Sequence, residues 1–526
     1  MKILITDPIS EEGVDYLKQQ PDLEVVCRFD LSLEALFSEI RDAEGLIIRS
    51  NTQVTQEVIE KASQLRVIGR AGAGVDNIDL KAATRKGVVV MNTPGGNSIS
   101  VAEHAFALLL ALARRIPFAD PSLRSGVWNK KAFIGQELQN KTLGLVGLGK
   151  IGSLMAQRAP AFQLKVLAYD PFVSEDYTRD LGVELRTLEE VLSEADFVSL
   201  HAPLNEKTKG IICKDTLQLM KKGAFLINAA RGELVVEEDL ADALETGHLG
   251  GAALDVFENE PNVHPRLLAS DHTVLTPHIA ASTVEAQSKV GYDIAQQVAA
   301  YLQNEVIVNA VNFPSMTPKE LEQIQPYLGL ADKLGSFISQ VSSIRLSEIG
   351  IRYYGDFAKL NYKPISNYIL KAILKPILSE EINQVNARNY AEERGISVIE
   401  TVSSRQRSYS NLISIQLRSS EKTEWIEGAI LHKGNYRLVS IDGIPIETEL
   451  GEHILFLRNQ DTPGVIGLVG TILGKAKINI ASFVLGRDGD GAHAVAVVNT
   501  DGEIPEEVMQ EIQNIPAVQF LLLVRL

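Results

Sequence analysis

The chain is 526 residues long, 45% hydrophobic and 22% charged, with a formal net charge of −16. That length provides for roughly three or four domains, each with material for its own core. The negative balance excludes nonspecific binding to nucleic acid or an anionic membrane surface, which both need a basic face, but leaves room for a local basic pocket. The only cysteines, Cys27 and Cys213, have neither disulfide-framework nor metal-ligand spacing, so no metal site is expected. The N-terminal run reads directly as a strand, with no targeting segment before it. The longest apolar helical run, 101–113, is interrupted by Glu103 and His104 and is too short to span a bilayer. A cytoplasmic protein is expected.

To about residue 95, apolar strands at 2–6, 24–27, 45–48, 67–70 and 88–92 alternate with amphipathic helices. Such alternation predicts a parallel sheet covered by helices. A long apolar helix follows over about 100–115. Next comes a short strand at 142–146, the turn Gly147-Leu148-Gly149-Lys150-Ile151-Gly152, helix-forming residues to Arg158, and a strand at 165–169. Asp170 follows that second strand, eighteen positions after the last glycine of the motif. This arrangement seats a dinucleotide: Gly147 for the tight turn, Gly149 for backbone approach to the pyrophosphate, and Gly152 for close helix packing. Asp170 is placed to accept the ribose hydroxyls. NAD is the expected cofactor, since a carboxylate there repels the 2′-phosphate of NADP.

Strands at 197–200, 224–228, 251–255 and 274–276 extend this unit into a second doubly wound sheet. A helix over about 283–303 leaves it, placed to carry the chain back to the first domain and make that domain discontinuous. Prolines and small polar residues over 312–318 read as a linker. Mixed α/β pattern follows to about residue 450, and the last segment reads as βαββαβ, with a glycine- and aspartate-rich turn at 486–491.

Hydride transfer at a hydroxyl-bearing carbon needs an acid–base group, a partner that tunes it, and a cation for the substrate. Arg231, Glu260 and His278 sit at candidate strand ends or in the loops beyond them, where an open α/β sheet forms its binding crevice. Histidine titrates near neutrality, a carboxylate on its other nitrogen stabilises the imidazolium, and arginine offers a fork matched to a carboxylate.

In that order behind the glycine motif, these residues resemble the catalytic triad of the D-isomer-specific 2-hydroxyacid dehydrogenases. The likeness covers residues 1 to about 310. The loop from Gly69 to Asp79 is similar to that family's substrate loop, so the resemblance implies substrate contacts at Gly72, Ala73 and Gly74, with Arg49, Arg70 and Asn97 around them. It implies further cofactor contacts at Lys150, Ile151, Ala229, Ala230, Arg231, Asp255, His278 and Ala281, with Asp255 beside the nicotinamide amide or Arg231.

The resemblance is nearest to the long family members that oxidise 3-phosphoglycerate, which add an intervening domain and a C-terminal ACT domain. Residues 386–396 resemble a stretch of that intervening domain. The resemblance implies L-serine as an effector held by Asn459, Asp461 and Asn479, a homo-oligomer (dimer or tetramer), and added positive charge from Trp128–Lys131, reaching a neighbouring subunit. The expected division is 1–95 with 285–310 for substrate, 96–284 for NAD, 315–450 intervening, and 452–526 ACT. The expected fold class is α/β: two Rossmann-like doubly wound parallel-sheet domains, a mixed α/β domain and a ferredoxin-like ACT domain. Two other readings stay open: a sibling dehydrogenase for hydroxypyruvate, glyoxylate or lactate, and a non-enzymatic NAD sensor or scaffold.

Overall fold

Runs of Ile, Leu and Val without alternation are what a strand buried on both faces requires, and the first segment folds accordingly. Strands β1 (Lys2–Ile5), β2 (Glu24–Cys27), β3 (Gly45–Ile48), β4 (Val67–Arg70) and β5 (Val89–Met91) form one parallel sheet in the order β2-β1-β3-β4-β5. Ile3, Leu4, Ile5, Leu46, Ile47 and Ile48 have no exposed surface, and each such side chain contributes roughly 1.5–3 kcal/mol. The helix Val284–Asn304, capped by the Thr283 hydroxyl, lies on this sheet, with Ile294 and Val298 packed into the cluster of Ile3, Ile47 and Val67.

This computed structural model describes residues 1–314, 316, 318–378, 382–405, 407–432, 434–489 and 491–526. Two positions of the expected linker, Ser315 and Thr317, lie outside the described residues, as does Asp490 in the expected turn at 486–491.

The second sheet contains β6 (Thr142–Val146), β7 (Lys165–Tyr169), β8 (Glu184–Leu185), β9 (Phe197–Leu200), β10 (Phe225–Asn228), β11 (Gly251–Leu254) and β12 (Thr273–Leu275). All pair in parallel, in the order β12-β11-β10-β9-β6-β7-β8. The winding reverses between β6 and β9, the place where doubly wound sheets open a crevice at the carboxyl ends of their strands. The edge strand β8 has only two residues and shows no pattern in the sequence. The helix after the glycine motif begins at Lys150, earlier than the sequence pattern indicates, because Gly152 forms part of its first turn. The apolar helix spans Ser98–Ala113 and buries Leu109 and Leu112 against the second sheet.

The third sheet is mixed. It contains β13 (Glu348–Gly355), β14 (Ser397–Ser403), β15 (Asn411–Arg418), β16 (Thr423–Ile430), β17 (Tyr436–Ile441) and β18 (Ile444–Glu449), in the order β14-β13-β15-β16-β17-β18. Only the β13–β14 pair is parallel. The helices Pro318–Val341 and Lys363–Leu374 cover one face. This unit meets the first sheet's loops through Asn383, whose amide donates to the Gly87 carbonyl at 2.7 Å, and through an Arg85–Glu393 pair at 3.4 Å.

The fourth sheet is antiparallel, with β19 (His453–Gln460), β20 (Ile480–Arg487), β21 (His493–Thr500) and β22 (Val518–Arg525) in the order β20-β21-β19-β22. The helices Val465–Lys475 and Glu506–Gln513 complete the βαββαβ order. The architecture is therefore two Rossmann-like parallel sheets, a mixed sheet and an ACT-like antiparallel sheet. Among the described residues no helix is long and apolar enough to cross a membrane.

Candidate active site

The end of β6 turns through the glycine motif, and its three glycines meet three different demands. Gly147 has φ +97°, and a Cβ there would lie 2.7 Å from the Ala202 nitrogen and the His201 carbonyl carbon. A Cβ on Gly152 would strike the Gly147 carbonyl oxygen. Gly149 has nothing within 4 Å of its Cβ position and stands exposed at the start of the helix Lys150–Arg158. The helix amino end therefore faces open space, as a pyrophosphate cradle requires. Asp170 braces the turn: Leu148 N donates to its Oδ2 at 2.8 Å and Phe172 N to its Oδ1 at 2.9 Å. Lys150 turns away, its ammonium donating to the Pro94 carbonyl at 3.1 Å, whereas Ile151 lines the crevice.

A cavity of about 480 Å³ lies between the two parallel sheets, walled on the second-sheet side by Ile151, His201, Ala229, Ala230, Arg231, His278 and Ala281. His278 follows β12 with φ +53°, its backbone N–H donating to the Asp255 carbonyl at 2.8 Å. Its Nδ1 lies 2.8 Å from Glu260 Oε2, which leaves Nε2 free to handle a substrate proton. Phe257 N donates to the other oxygen of Glu260 at 3.0 Å. The Glu260 hydrogen bond raises the His278 pKa above the usual imidazole value, outweighing burial and the Arg231 charge. Burial pushes the Glu260 carboxyl up, but the His278 and Phe257 hydrogen bonds bring it below the usual range.

Asp255 is completely buried. Its Oδ1 accepts from the Thr276 hydroxyl at 2.6 Å and from Ile279 N at 2.9 Å, and its Oδ2 accepts from Ala280 N at 2.9 Å. His104 Nε2 lies 3.3 Å from Oδ1. Burial raises its pKa, yet the bonds from His104, Thr276 and the two backbone amides together hold it below the usual range. These partners occupy Asp255 fully; it shapes the His278 loop and forms no hydrogen bond to Arg231. His104 was not anticipated from the sequence, where it registers only as a polar break in an apolar helix. His201 is a further unanticipated residue: Ser199 Oγ lies 3.0 Å from its Nε2, and burial pushes its pKa down to about 4. It is a neutral wall, not a proton carrier near neutrality.

Arg231 leaves β10 through a turn closed by Asn228, whose amide donates to the Arg231 carbonyl at 2.8 Å. Its Nε donates to Asp76 Oδ2 at 3.0 Å, and a Cβ on Gly74 would collide with its Nη2. A side chain at Gly74 would force this guanidinium to move from its present place. Across the cavity, Arg70, Ala73, Gly74, Asn92 and Asn97 form the first-sheet side. Gly72, at φ +151°, makes room for the Arg70 guanidinium, with which any side chain there would collide. Arg70 Nε is buried and has no hydrogen-bond partner, and Arg70 forms no ion pair among the described residues. Burial, then the Arg231 charge, push its pKa down to about 10, so it stays a cation. A half-buried cation without an ion pair is best satisfied when its counter-ion arrives with a ligand.

Not every expected residue faces this cavity. Arg49 donates from its backbone to Asp7 at 2.6 Å, and its side chain borders a separate hollow with Ser10 and Val284. The Trp128–Lys131 stretch is exposed, with the Lys130 ammonium 5.8 Å from the Trp128 ring centre. In the fourth unit, Asp461 pairs with Arg487 at 3.1 Å and the Asn479 amide donates to Asp501 at 2.5 Å. Asn459 is buried, with its amide oxygen unpartnered. No hydrogen bond joins these three residues to one another among the described residues. No group of three or more His, Cys, Asp or Glu there is placed to hold a metal ion.

Three family descriptions match the chain in succession: the D-isomer specific 2-hydroxyacid dehydrogenase NAD binding domain over residues 106–280, the D-3-phosphoglycerate dehydrogenase intervening domain over 323–442, and the ACT domain over 453–517. A D-3-phosphoglycerate dehydrogenase of Bacillus subtilis (strain 168) is 40% identical over 517 residues, covering 98% of both chains. One from Methanocaldococcus jannaschii is 41% identical over 527 residues, covering all of both chains. Among solved structures, a D-lactate dehydrogenase of Aquifex aeolicus complexed with NAD and lactic acid is 30% identical, with a TM-score of 0.54, over 60% of this chain and all of the other. The three matched modules and the end-to-end identity place the chain in the D-3-phosphoglycerate dehydrogenase family, the branch of the D-isomer-specific 2-hydroxyacid dehydrogenases that carries intervening and ACT domains.

Proposed function

We propose that the chain oxidises 3-phospho-D-glycerate to 3-phosphohydroxypyruvate with NAD, the first step of L-serine formation from that metabolite. The observation that carries this reading is the His278–Glu260 pair at 2.8 Å, facing a cavity with Arg231 on one wall and the unpaired Arg70 on the other. When bound, the nicotinamide supplies the hydride acceptor. His278 Nε2 takes the proton of the substrate hydroxyl as C2 loses hydride, and Glu260 stabilises the imidazolium through Nδ1. Arg231 holds the substrate carboxylate with help from the Gly72–Gly74 backbone, exchanging its contact with the exposed Asp76 for the stronger one. Arg70 supplies further positive charge to a multiply anionic substrate, and Asn97 lies at the cavity edge. Arg49 is a second-rank candidate, because it borders the neighbouring hollow.

The remaining assignments belong to the same reading. Gly147, Gly149, Ile151, Gly152 and the backbone of Lys150 hold the dinucleotide phosphates, with Asp170 at the ribose, Ala229, Ala230 and Ala281 around the nicotinamide, and the buried Asp255 behind them, acting through the His278 loop. The chain divides as 1–95 with 285–310, 96–284, 315–450 and 452–526. L-serine acts at Asn459, Asp461 and Asn479, in keeping with an ACT module. The protein works in the cytoplasm as a homo-oligomer, which the exposed Trp128 and Ile134 of the arm after the apolar helix support. The test is NADH formation from 3-phosphoglycerate, with D-lactate and D-glycerate alongside and L-serine titrated in. Turnover specific to the phosphorylated acid is expected. Turnover confined to the unphosphorylated acids, or none from a protein that still binds NAD, overturns the reading.

A further inference from the structure

The open face of the third sheet carries a polar hollow that the dehydrogenase chemistry does not use. Strand alternation sends Ile349, Ile351 and Tyr353 of β13 into the core beneath the helices, and Gly350, Arg352 and Tyr354 to the opposite face. Register across β14, β13, β15 and β16 then aligns Thr401, Arg352, Ser414 and Glu427 in one row. The adjacent row runs Ile399, Gly350, Gln416 and Trp425. With strands roughly 4.8 Å apart, the Arg352 and Glu427 backbones stand about 10 Å from each other, with only Ser414 between them. The two small residues, Ser414 and Gly350, leave a hollow of about 280 Å³ between a cationic and an anionic side.

The charges around this hollow are incompletely matched. Arg407 lies over the Tyr354 ring, its Cζ 4.7 Å from the ring centre, and donates through Nη2 to the Tyr354 hydroxyl at 3.3 Å. Arg352 Nη1 approaches the same hydroxyl at 3.4 Å. Arg352 Nε donates to the Thr401 hydroxyl at 3.2 Å but makes no ion pair among the described residues, and Arg407 pairs with Glu427 only loosely, at 3.9 Å, too long for a hydrogen bond. Arg418 at the rim, by contrast, is paired with Glu348 at 3.0 Å. Glu427 is only 7% exposed, and no hydrogen-bond donor reaches its carboxylate among the described residues. Burial pushes its pKa up, with Arg407 and Arg352 opposing. Two cations therefore converge on the Tyr354 hydroxyl, one of them, Arg407, loosely paired with a nearly buried Glu427 that has no hydrogen-bond donor among the described residues. A simple anion leaves Glu427 without a hydrogen-bond donor and a simple cation is repelled by the guanidiniums, whereas a small zwitterion meets both demands.

We propose that this hollow binds a free α-amino acid, with Arg352 and Arg407 receiving its carboxylate, Glu427 its ammonium, and Trp425 walling its side chain. The site is separate from Asp461 and Asn479 in the ACT unit and adds a second amino-acid input, carried by the intervening module. The chain has two tryptophans, so Trp128→Phe leaves Trp425 as a reporter in the hollow wall. That full-length variant is titrated with glycine, L-alanine, L-serine and L-glutamate, and with propionate and ethylamine as half-ligands. A saturable change in Trp425 fluorescence is expected with at least one amino acid and with neither half-ligand. Glu427→Gln and Arg352→Gln, each retaining the parent's unfolding midpoint, are expected to weaken it at least about tenfold, and Asp461→Ala to leave it unchanged. Arg407→Gln, on a loop, repeats the test where a strand variant fails to fold. No saturable change with any of the amino acids, persistence in the hollow variants, loss in Asp461→Ala, or an equal response to propionate overturns the proposal.

Discussion

The two walls of the cleft between the parallel sheets follow opposite electrostatic plans. On the second-sheet wall the charged groups have partners in place: His278 has Glu260, and Asp255 has His104, Thr276 and two backbone amides, while His201 stays neutral. On the first-sheet wall Arg70 is half-buried with an unpartnered Nε, and its pKa is pushed down to about 10. Proton transfer needs a group held in one orientation and tuned in advance, so its partners belong to the protein. Binding an anion needs a cation whose counter-ion comes with the ligand, so its partner is left out. Arg231 stands between the two plans, joined to an exposed Asp76 by a contact that a substrate carboxylate can replace.

Substitutions on each wall separate these plans. The largest effect is expected from His278→Asn, which removes the proton acceptor: kcat falls roughly 10²–10⁴-fold while NADH binding, followed by fluorescence titration, is retained. Arg231→Gln comes next. Losing a charged hydrogen bond to the substrate lowers kcat/KM about 10- to 150-fold in steady-state assays. Arg70→Met tests the contrast most directly, because its two readouts move oppositely. KM for the phosphorylated substrate rises about tenfold, while the ligand-free protein becomes more stable, by less than about 1 kcal/mol in denaturant unfolding, since a half-buried cation without an ion pair is gone. A loss of stability would show that Arg70 is structurally satisfied and would remove the distinction between the walls.

Glu260→Gln has the smallest expected effect at alkaline pH and the clearest effect on the pH profile. The folded pKa of His278 is raised above its usual value. Neutral His278 is the base, so kcat/KM for oxidation climbs as pH rises through that raised value. Without the carboxylate, burial and Arg231 remain and the inflection moves down; an inflection that stays in place denies Glu260 its tuning role. The linked stability has the matching sign. The pair's support is fully present below the unfolded histidine value and fades as pH rises through the folded one. Because the pair is about half exposed, this support is worth less than about 1 kcal/mol.

Much of the nucleotide wall was legible in one dimension. Gly147, Gly149 and Gly152 lie within one turn, and their roles follow from the backbone that such a turn must adopt. Asp170 follows the next strand, so its arrival beside the motif follows from a single crossover. Arg231, Glu260 and His278 could be singled out by their strand-end positions, and the resemblance to a known family added their roles as a triad. The partners of Asp255 were not legible. His104 comes from a helix far back in the chain, and only the packing of that helix brings its ring to the carboxylate. The placement of Arg49 was also beyond the sequence: it follows a strand end, as Arg70 does, yet the helix Val284–Asn304 gives it a hollow of its own.

The sequence alone determined the strand–helix alternation, the phosphate turn and the order of the modules, because these depend on periodicity and local backbone conformation. Tertiary structure decided which charges meet and which remain unmatched. Arg70 lacks a partner, and the Arg352–Ser414–Glu427 row exists, because strands remote in sequence lie side by side, and only that placement sets the distances on which electrostatic pairing depends.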